Sequence, residues 1–273
     1  MADSARTGSR ISPFLAASIG LHGVGLATLL AVPRAWELVL GALIANHLGI
    51  GVAGMLPRCG WLGPNVTRLP ATRTGGNLLA LTFDDGPDPE VTPAVLEILE
   101  AAQARATFFC IGKRVEANPG LAATIRAHGH GVENHTYSHP NGFALRGPRA
   151  MAWQIGRAQE AIEQCGGGRP RFFRAPAGIQ NAWLATVLAS AGLTLVSWSR
   201  RGYDTLGAEG ARVAARLVRR LAPGDILVLH DGSSARDPSG RPLVLDALPR
   251  VIDQMNRMGL RSEALHRVLA PGR

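Results

Sequence analysis

Lysine is almost missing from this chain of 273 residues: Lys113 is the only one, and arginine supplies the rest of the 29 basic side chains. That bias follows from a GC-rich coding sequence as readily as from selection, so it names no partner. Cysteine is also scarce. Cys59, Cys110 and Cys165 are odd in number and widely spaced, which excludes a disulfide framework and a cysteine-based zinc pattern. Cys110, at the end of an apolar run, reads as a small core residue. The lack of paired cysteines fits a reducing compartment, although many periplasmic proteins share it. No internal repeat is evident.

Charge is absent from one long segment. Between Ile11 and Leu56 only Arg34 and Glu37 carry any. Residues 13–32 make one membrane-spanning length, Pro33 to Glu37 a tight break, and residues 38–57 a second such length, at about 20 apolar residues per span. The simplest reading is a transmembrane helical hairpin. A signal peptide followed by a buried helix, or one span with an interfacial segment marked by Asn46 and His47, are the other readings; the first run is longer than a signal-peptide core and no convincing cleavage site follows it. Arg6 and Arg10 precede the hairpin, and Arg58, Arg68 and Arg73 follow it. By the positive-inside tendency both ends are cytoplasmic, in a bacterial-type inner membrane. The chain therefore divides into an anchor and linker, residues 1–73, and a second domain, 74–273.

The net charge of +9 does not indicate nucleic-acid binding, because the second domain holds 23 basic against 18 acidic residues. Arg212, Arg216, Arg219 and Arg220 do cluster on an expected helix, 208–221; such a cluster is ordinarily a solvated face, and beside a membrane it meets anionic headgroups.

Chemistry is concentrated in four short stretches. In Thr82-Phe83-Asp84-Asp85-Gly86-Pro87 two adjacent carboxylates end an apolar run. Like charges side by side repel and resist burial. A metal held by one, with the other free as a base, removes the conflict; an Asp-Gly turn after a strand is the plainer reading. His135-Thr136-Tyr137-Ser138-His139 follows, with two histidines at i and i+4, a spacing that sets both on one face of a helical turn. With Asp85 they make three protein ligands, the usual count for a catalytic zinc with an open position. Arg174-Ala175-Pro176-Ala177-Gly178 and Leu227-Val228-Leu229-His230-Asp231-Gly232 complete the set.

In this order the four stretches resemble the polysaccharide deacetylases with a NodB homology domain, carbohydrate esterase family 4, over roughly residues 77–268. The resemblance implies a metal-dependent removal of N-acetyl groups from amino sugars. It makes Asp84 the general base, Asp85, His135 and His139 the metal ligands, and His230 the general acid. Arg174 positions the catalytic aspartate, Ala177 supplies a backbone N–H to the oxyanion in place of the family's usual aromatic residue, and Leu227 and Leu229 form the acetyl pocket. Zinc is the first choice of metal; cobalt, nickel and iron also suit two imidazoles and a carboxylate.

A further family motif, Asp, two residues, Asp, Trp, falls on Arg201-Gly202-Tyr203-Asp204-Thr205. Asp204 is retained and is expected to tune His230. Arg201 and Thr205 depart from the pattern, and with Tyr203 they form a changed substrate wall. The added arginine implies an anionic feature on the ligand, and with cytoplasmic ends it favours a lipid-linked N-acetylated sugar over mature peptidoglycan. Other readings are a hydrolase of another amide, such as a formamide, cyclic imide or acylamine, and a non-catalytic barrel that binds glycan or lipid. His22, His47, His128, His130 and His266 match no catalytic position.

Short apolar strands at 78–83, 106–110, 131–133, 171–173, 193–198 and 225–229 alternate with helical spacing at 92–104, 114–128, 149–164, 181–191, 208–221 and 243–258. That alternation predicts βαβ units. The resemblance implies a distorted (β/α) barrel of about seven parallel strands, the last near Ser262–Leu265.

Overall fold

A computed structural model describes residues 11–71, 75–207 and 209–269. Arg6, Arg10 and Arg73, which enter the topology argument, and position 208 lie outside the described residues.

Strand β1, Leu78–Asp84, carries the alternation that organises the domain. Successive side chains of a strand face opposite ways. Leu79, Leu81 and Phe83 enter a core shared with the surrounding helices, and Ala80 joins Phe109, Val196, Ile226 and Val228 in a second cluster inside the sheet's curve. Thr82 and Asp84 share the parity of Ala80 and so face inward. The other strands are β2 (Ala106–Cys110), β3 (Gly131–Asn134), β4 (Phe172–Phe173), β5 (Thr194–Leu195), β6 (Arg200–Arg201), β7 (Ile226–His230) and β8 (Arg261–Ser262). They run in the order β5-β4-β3-β2-β1-β7-β6, with β8 added to β1, and every strand pairing is parallel. The result is the expected α/β architecture, a path of seven parallel strands in a curled half-barrel with β8 beside β1 as an eighth. At its open side Val66 bridges to Val196 and Arg68 to Asp225, so the stretch after the apolar helices touches the sheet beyond β5 and ahead of β7.

Several elements differ from the expected spans. The single helix over 114–128 is two helices, Gly112–Ala117 and Pro119–Ala127. Pro119 has no N–H to continue the first but suits the first turn of the second. The strand over 193–198 is shorter, with β6 following separately, and the last strand ends at Ser262 because Leu265 opens a short helix, Leu265–Val268.

The two apolar segments form helices α1, Pro13–Ala31, and α2, Trp36–Met55, joined by the turn Pro33–Ala35. Asn46 Nδ2 donates to Ser18 Oγ at 2.8 Å, and the His22 and His47 rings meet edge to face. The polar groups thus pair between the helices. The outer apolar side chains stay exposed, Leu30 by 78% and Leu38 by 80%, where a core helix would bury them. Both helices have the length and composition to cross a bilayer, a test that a signal sequence also passes.

One core histidine carries a pH prediction. His130 is buried and its Nδ1 accepts the Ala106 N–H at 3.1 Å. Burial first, then the charges of Arg105 and its basic neighbours, push its pKa down to about 4. The unfolded chain therefore binds the proton more readily, so this contribution is complete above about pH 6.5 and is lost as pH falls through 4. His130→Asn keeps an acceptor near the Nδ1 position and removes the titration. Chemical denaturation at pH 7 and pH 4.5 should show a smaller loss of stability on acidification in the variant. The difference should be roughly 2 kcal/mol, since each pH unit below the ordinary histidine value costs about 1.4 kcal/mol; an equal loss would refute the assignment.

Candidate active site

All the catalytic candidates sit at the carboxyl ends of strands. Asp84 closes β1 and His230 closes β7, directly opposite one another in register. His135 follows β3 and Arg174 follows β4. In curled parallel sheets this end gathers the loops that carry chemistry.

Arg174 is fully buried. Its Nη1 donates to Asp84 Oδ1 and to Thr82 Oγ1, both at 2.7 Å, while Nε and Nη2 donate to the carbonyls of Val196 and Ser197. The guanidinium carbon lies 4.1 Å from the centroid of the Phe109 ring. Burial pushes its pKa down and Asp84 opposes the shift. One oxygen of Asp84 is thus held in a fixed, charge-assisted contact.

Asp85 Oδ1 lies 3.3 Å from Nε2 of both His135 and His139. It is buried and has no hydrogen-bond partner, and the three donor atoms lie within 4.8 Å of one another. His135 Nδ1 lies 2.8 Å from the Arg174 carbonyl, to which it donates; the lone pair is then on Nε2, toward Asp85, the orientation that metal-ligating histidines usually have. The Ser233 hydroxyl meets the other Asp85 oxygen. Burial alone would raise the Asp85 pKa, but the close approach and charge of His135, with the fields of His230 and His139, hold it far below the usual carboxylate range. An orphaned carboxylate oxygen between two imidazole nitrogens fits a divalent cation.

These two histidines correct the expected geometry. Residues 135–139 are not a helical turn; they form an irregular loop with left-handed backbone at Thr136 (φ 67°) and His139 (φ 47°). The Asn134 side chain accepts the Thr136 N–H, Thr136 Oγ1 accepts the His139 N–H, and Gln154 Oε1 accepts two more. The imidazoles converge because the loop folds back on itself.

His230 Nδ1 lies 2.9 Å from Asp204 Oδ1, and its backbone N–H donates to Asp204 Oδ2. Burial would lower the His230 pKa; the hydrogen bond and charge of Asp204, with Asp84 and Asp85, raise it.

A cleft of about 500 Å³ opens over these groups. Ala177, at φ 55°, lines it, as do Arg201 and Thr205. Leu227 and Leu229 do not: they point into the helix-facing core, and Val228 lines the cleft instead. The reason is parity, since His230 and Val228 lie on one face of β7 and the two leucines on the other. Tyr203 stands in a neighbouring pocket whose wall Arg201 also shares. Trp198 and Ser233 escape a motif reading because neither belongs to one of the four stretches. The Ala177 loop also touches the apolar helices: the Gln180 N–H donates to the Gly54 carbonyl at 2.9 Å, and Gly178 leaves room for Pro57 and Trp198.

Known proteins resemble this chain in sequence and fold. The polysaccharide deacetylase model matches residues 71–196. A chitooligosaccharide deacetylase of Azorhizobium caulinodans is 36% identical over 192 residues, covering 68% of this chain and 91% of that protein. The chain belongs to the polysaccharide deacetylase family. A peptidoglycan-N-acetylglucosamine deacetylase of Bacillus cereus is 32% identical over 188 residues, 67% of this chain and 84% of that protein. A solved family 4 carbohydrate esterase from Streptomyces lividans, in complex with acetate, superposes with a TM-score of 0.64 at 34% identity, covering 72% of this chain and 98% of that one.

The ligand geometry predicts separable effects. Adding zinc to chelator-stripped protein should raise the melting temperature of the wild type and of Asp84→Asn, and leave His139→Ala unmoved. An unchanged zinc response in His139→Ala, read by calorimetry and by bound-metal analysis, would remove it from the ligand set.

Proposed function

We propose that this protein is a metal-dependent N-deacetylase of an amino sugar, anchored in the membrane by residues 1–73 and catalytic through residues 74–273. The observation that carries the reading is the adjoining pair of assemblies: Asp85 with two imidazoles, and Asp84 clamped by Arg174 opposite a His230–Asp204 pair. Asp85, His135 and His139 would hold the cation, with zinc the first choice and cobalt, nickel or iron chemically suited. A cation there supplies an acidified water and a polarised acyl carbonyl.

The chain's own groups perform the proton transfers. Asp84 takes the proton of the attacking water, and Arg174 keeps the receiving oxygen in place. An amide nitrogen leaves poorly unless protonated, so the reaction needs an acid on the far side of the carbonyl. His230 provides it, because Asp204 favours its protonated form. Ala177 contributes its backbone N–H to the developing oxyanion. Val228 and Trp198 give the acyl methyl its apolar wall.

The substrate is an N-acetylated sugar, oligomeric or lipid-linked. Relatives named for chitooligosaccharide and peptidoglycan support the first form; the apolar hairpin and the arginine at 201 support the second. The charge flanking the hairpin favours the cytoplasmic face of an inner membrane for the catalytic domain, with the periplasmic face as the alternative. A reporter fused after Arg273 that matures only in the periplasm would overturn the cytoplasmic placement; we expect activity only from the cytoplasmic reporter.

Acetate release by zinc-loaded protein in detergent tests the activity. We expect chelator-sensitive release from acetylated amino sugars, reduced by at least about 100-fold in His230→Ala, the lower range for a lost general acid. Hydrolysis of an activated aryl acetate, whose leaving group needs no proton, should fall far less. Equal losses on both would strip His230 of the acid role.

A further inference from the structure

Beside the catalytic cleft, and sharing Trp198 and Arg201 with it, lies a second pocket of about 420 Å³. Five arginines line it: Arg58, Arg200, Arg201, Arg216 and Arg219. No carboxylate is among its lining residues. Arg200 is paired from beneath with Asp225, its Nε at 2.9 Å, a carboxylate that it shares with Arg68. The other four have no ion pair among the described residues.

Unpaired guanidinium groups repel one another unless an anion joins them. Arg201 presses this argument furthest. Its Nε is buried without a hydrogen-bond partner, and its guanidinium carbon sits 5.4 Å and 5.0 Å from the Trp198 and Tyr203 ring centroids. Arg216 also approaches that tyrosine, at 5.9 Å. The aromatic rings fix these cations in place; Arg216 Nη1 also reaches the Gly202 carbonyl at 3.4 Å, and the remaining N–H groups are left available. Arginine presents paired N–H groups that match the oxygens of a phosphate.

Position selects among anions. Pro57 and Arg58 line the pocket, and α2 ends at Met55, so the pocket opens within two residues of the end of an apolar helix long enough to span a bilayer. An anion bound there lies at the height of lipid headgroups, one wall away from the catalytic carboxylates.

We propose that this arginine pocket binds the phosphate of an N-acylated amino sugar joined through that phosphate to a membrane lipid, placing the amide in the catalytic cleft and the lipid beside α2. The proposal rests on the deacetylase reading for the reaction and adds the substrate class. It also gives Arg201, which stands where the family has an aspartate, a reason to be there: an aspartate would repel the phosphate that the arginine attracts.

Two measurements test it with full-length zinc-loaded protein in detergent. The first compares kcat/KM for a short-chain prenyl-phosphate-linked N-acetylglucosamine with that for neutral N-acetylglucosamine oligomers, in the wild type and in Arg216→Gln/Arg219→Gln, two exposed positions whose change spares the core. The wild type should favour the phosphate-bearing substrate, and the variant should lose that preference by roughly tenfold or more, as expected for lost charged hydrogen bonds. The second needs no turnover: binding of the same prenyl phosphate without a sugar, followed by quenching of tryptophan fluorescence, should weaken by a similar factor in the variant, and inorganic phosphate should compete only at far higher concentration.

Equal preference in both proteins, with oligomers still hydrolysed, overturns the phosphate subsite and leaves the deacetylase reading standing. Turnover of neither sugar overturns the deacetylase reading, while the binding measurement still decides the pocket. Inorganic phosphate binding as tightly as the prenyl phosphate would make this a free-phosphate site. A variant altered only in its association with phosphatidylglycerol vesicles would show a bilayer contact. Either result rejects the proposal.

Discussion

The buried Arg174–Asp84 contact is the constraint around which the catalytic domain is arranged. A guanidinium with no solvent access is expensive, and removing its partner commonly costs about 3–5 kcal/mol. It is tolerated because every side of it is occupied: one carboxylate, one hydroxyl, two backbone carbonyls and the face of Phe109. Those partners come from β1, β2 and the chain just after β5. The same residue that fixes the proposed base therefore ties three strands together at the end of the sheet where the loops gather. Its own carbonyl orients His135, so the base and the ligand set share one support.

Much of this is legible in the chain. Adjacent aspartates after an apolar run, two histidines fifty residues on, and a His-Asp pair at a strand end mark the site, and each falls at the carboxyl end of a strand that the apolar alternation predicts. The failures are equally physical. Spacing of i and i+4 suggests a helix at 135–139, yet Asn134, Thr136 and Gln154 hold the loop by side-chain hydrogen bonds, and a pattern of side-chain spacing carries no record of positive φ. Family precedent assigns Leu227 and Leu229 to the acyl pocket, although counting back by twos from His230 gives Val228. The arginine pocket is hidden from a linear reading because it gathers residues 58, 201, 216 and 219 from three separated stretches. Arg201 alone stands out, through its departure from a motif.

The electrostatic arrangement separates the two proposed histidine roles within one small space. His135 and His230 both feel carboxylates, and both have raised pKa values against the opposing pull of burial. They differ in what holds Nδ1. His135 donates to a backbone carbonyl, a neutral partner that orients the ring; His230 meets the full charge of Asp204, which also stabilises the protonated ring. A carbonyl behind the ring fixes the orientation a ligand needs, and a carboxylate behind it adds the stabilisation of the imidazolium that an acid needs. The distinction lies in which residue stands behind each ring, not in the imidazole.

The apolar helices also touch the catalytic domain. The carbonyl of Gly54, in the last turn of α2, accepts the Gln180 N–H, and Pro57 packs against Gly178. The loop bearing Ala177 is thus braced by the end of the helix that the bilayer would hold. A substrate arriving from bulk solvent gains nothing from such bracing, because the cleft could face any direction. A substrate confined to the bilayer surface gains a great deal, since its height above the membrane is already set and only one cleft orientation is productive. The alanine at 177 and threonine at 205, where the resemblance leads one to expect aromatic side chains, would suit the proposed substrate: long neutral glycans depend on stacking along an open groove, whereas a single sugar carried on a charged, lipid-bound handle is positioned at its two ends and needs little in between.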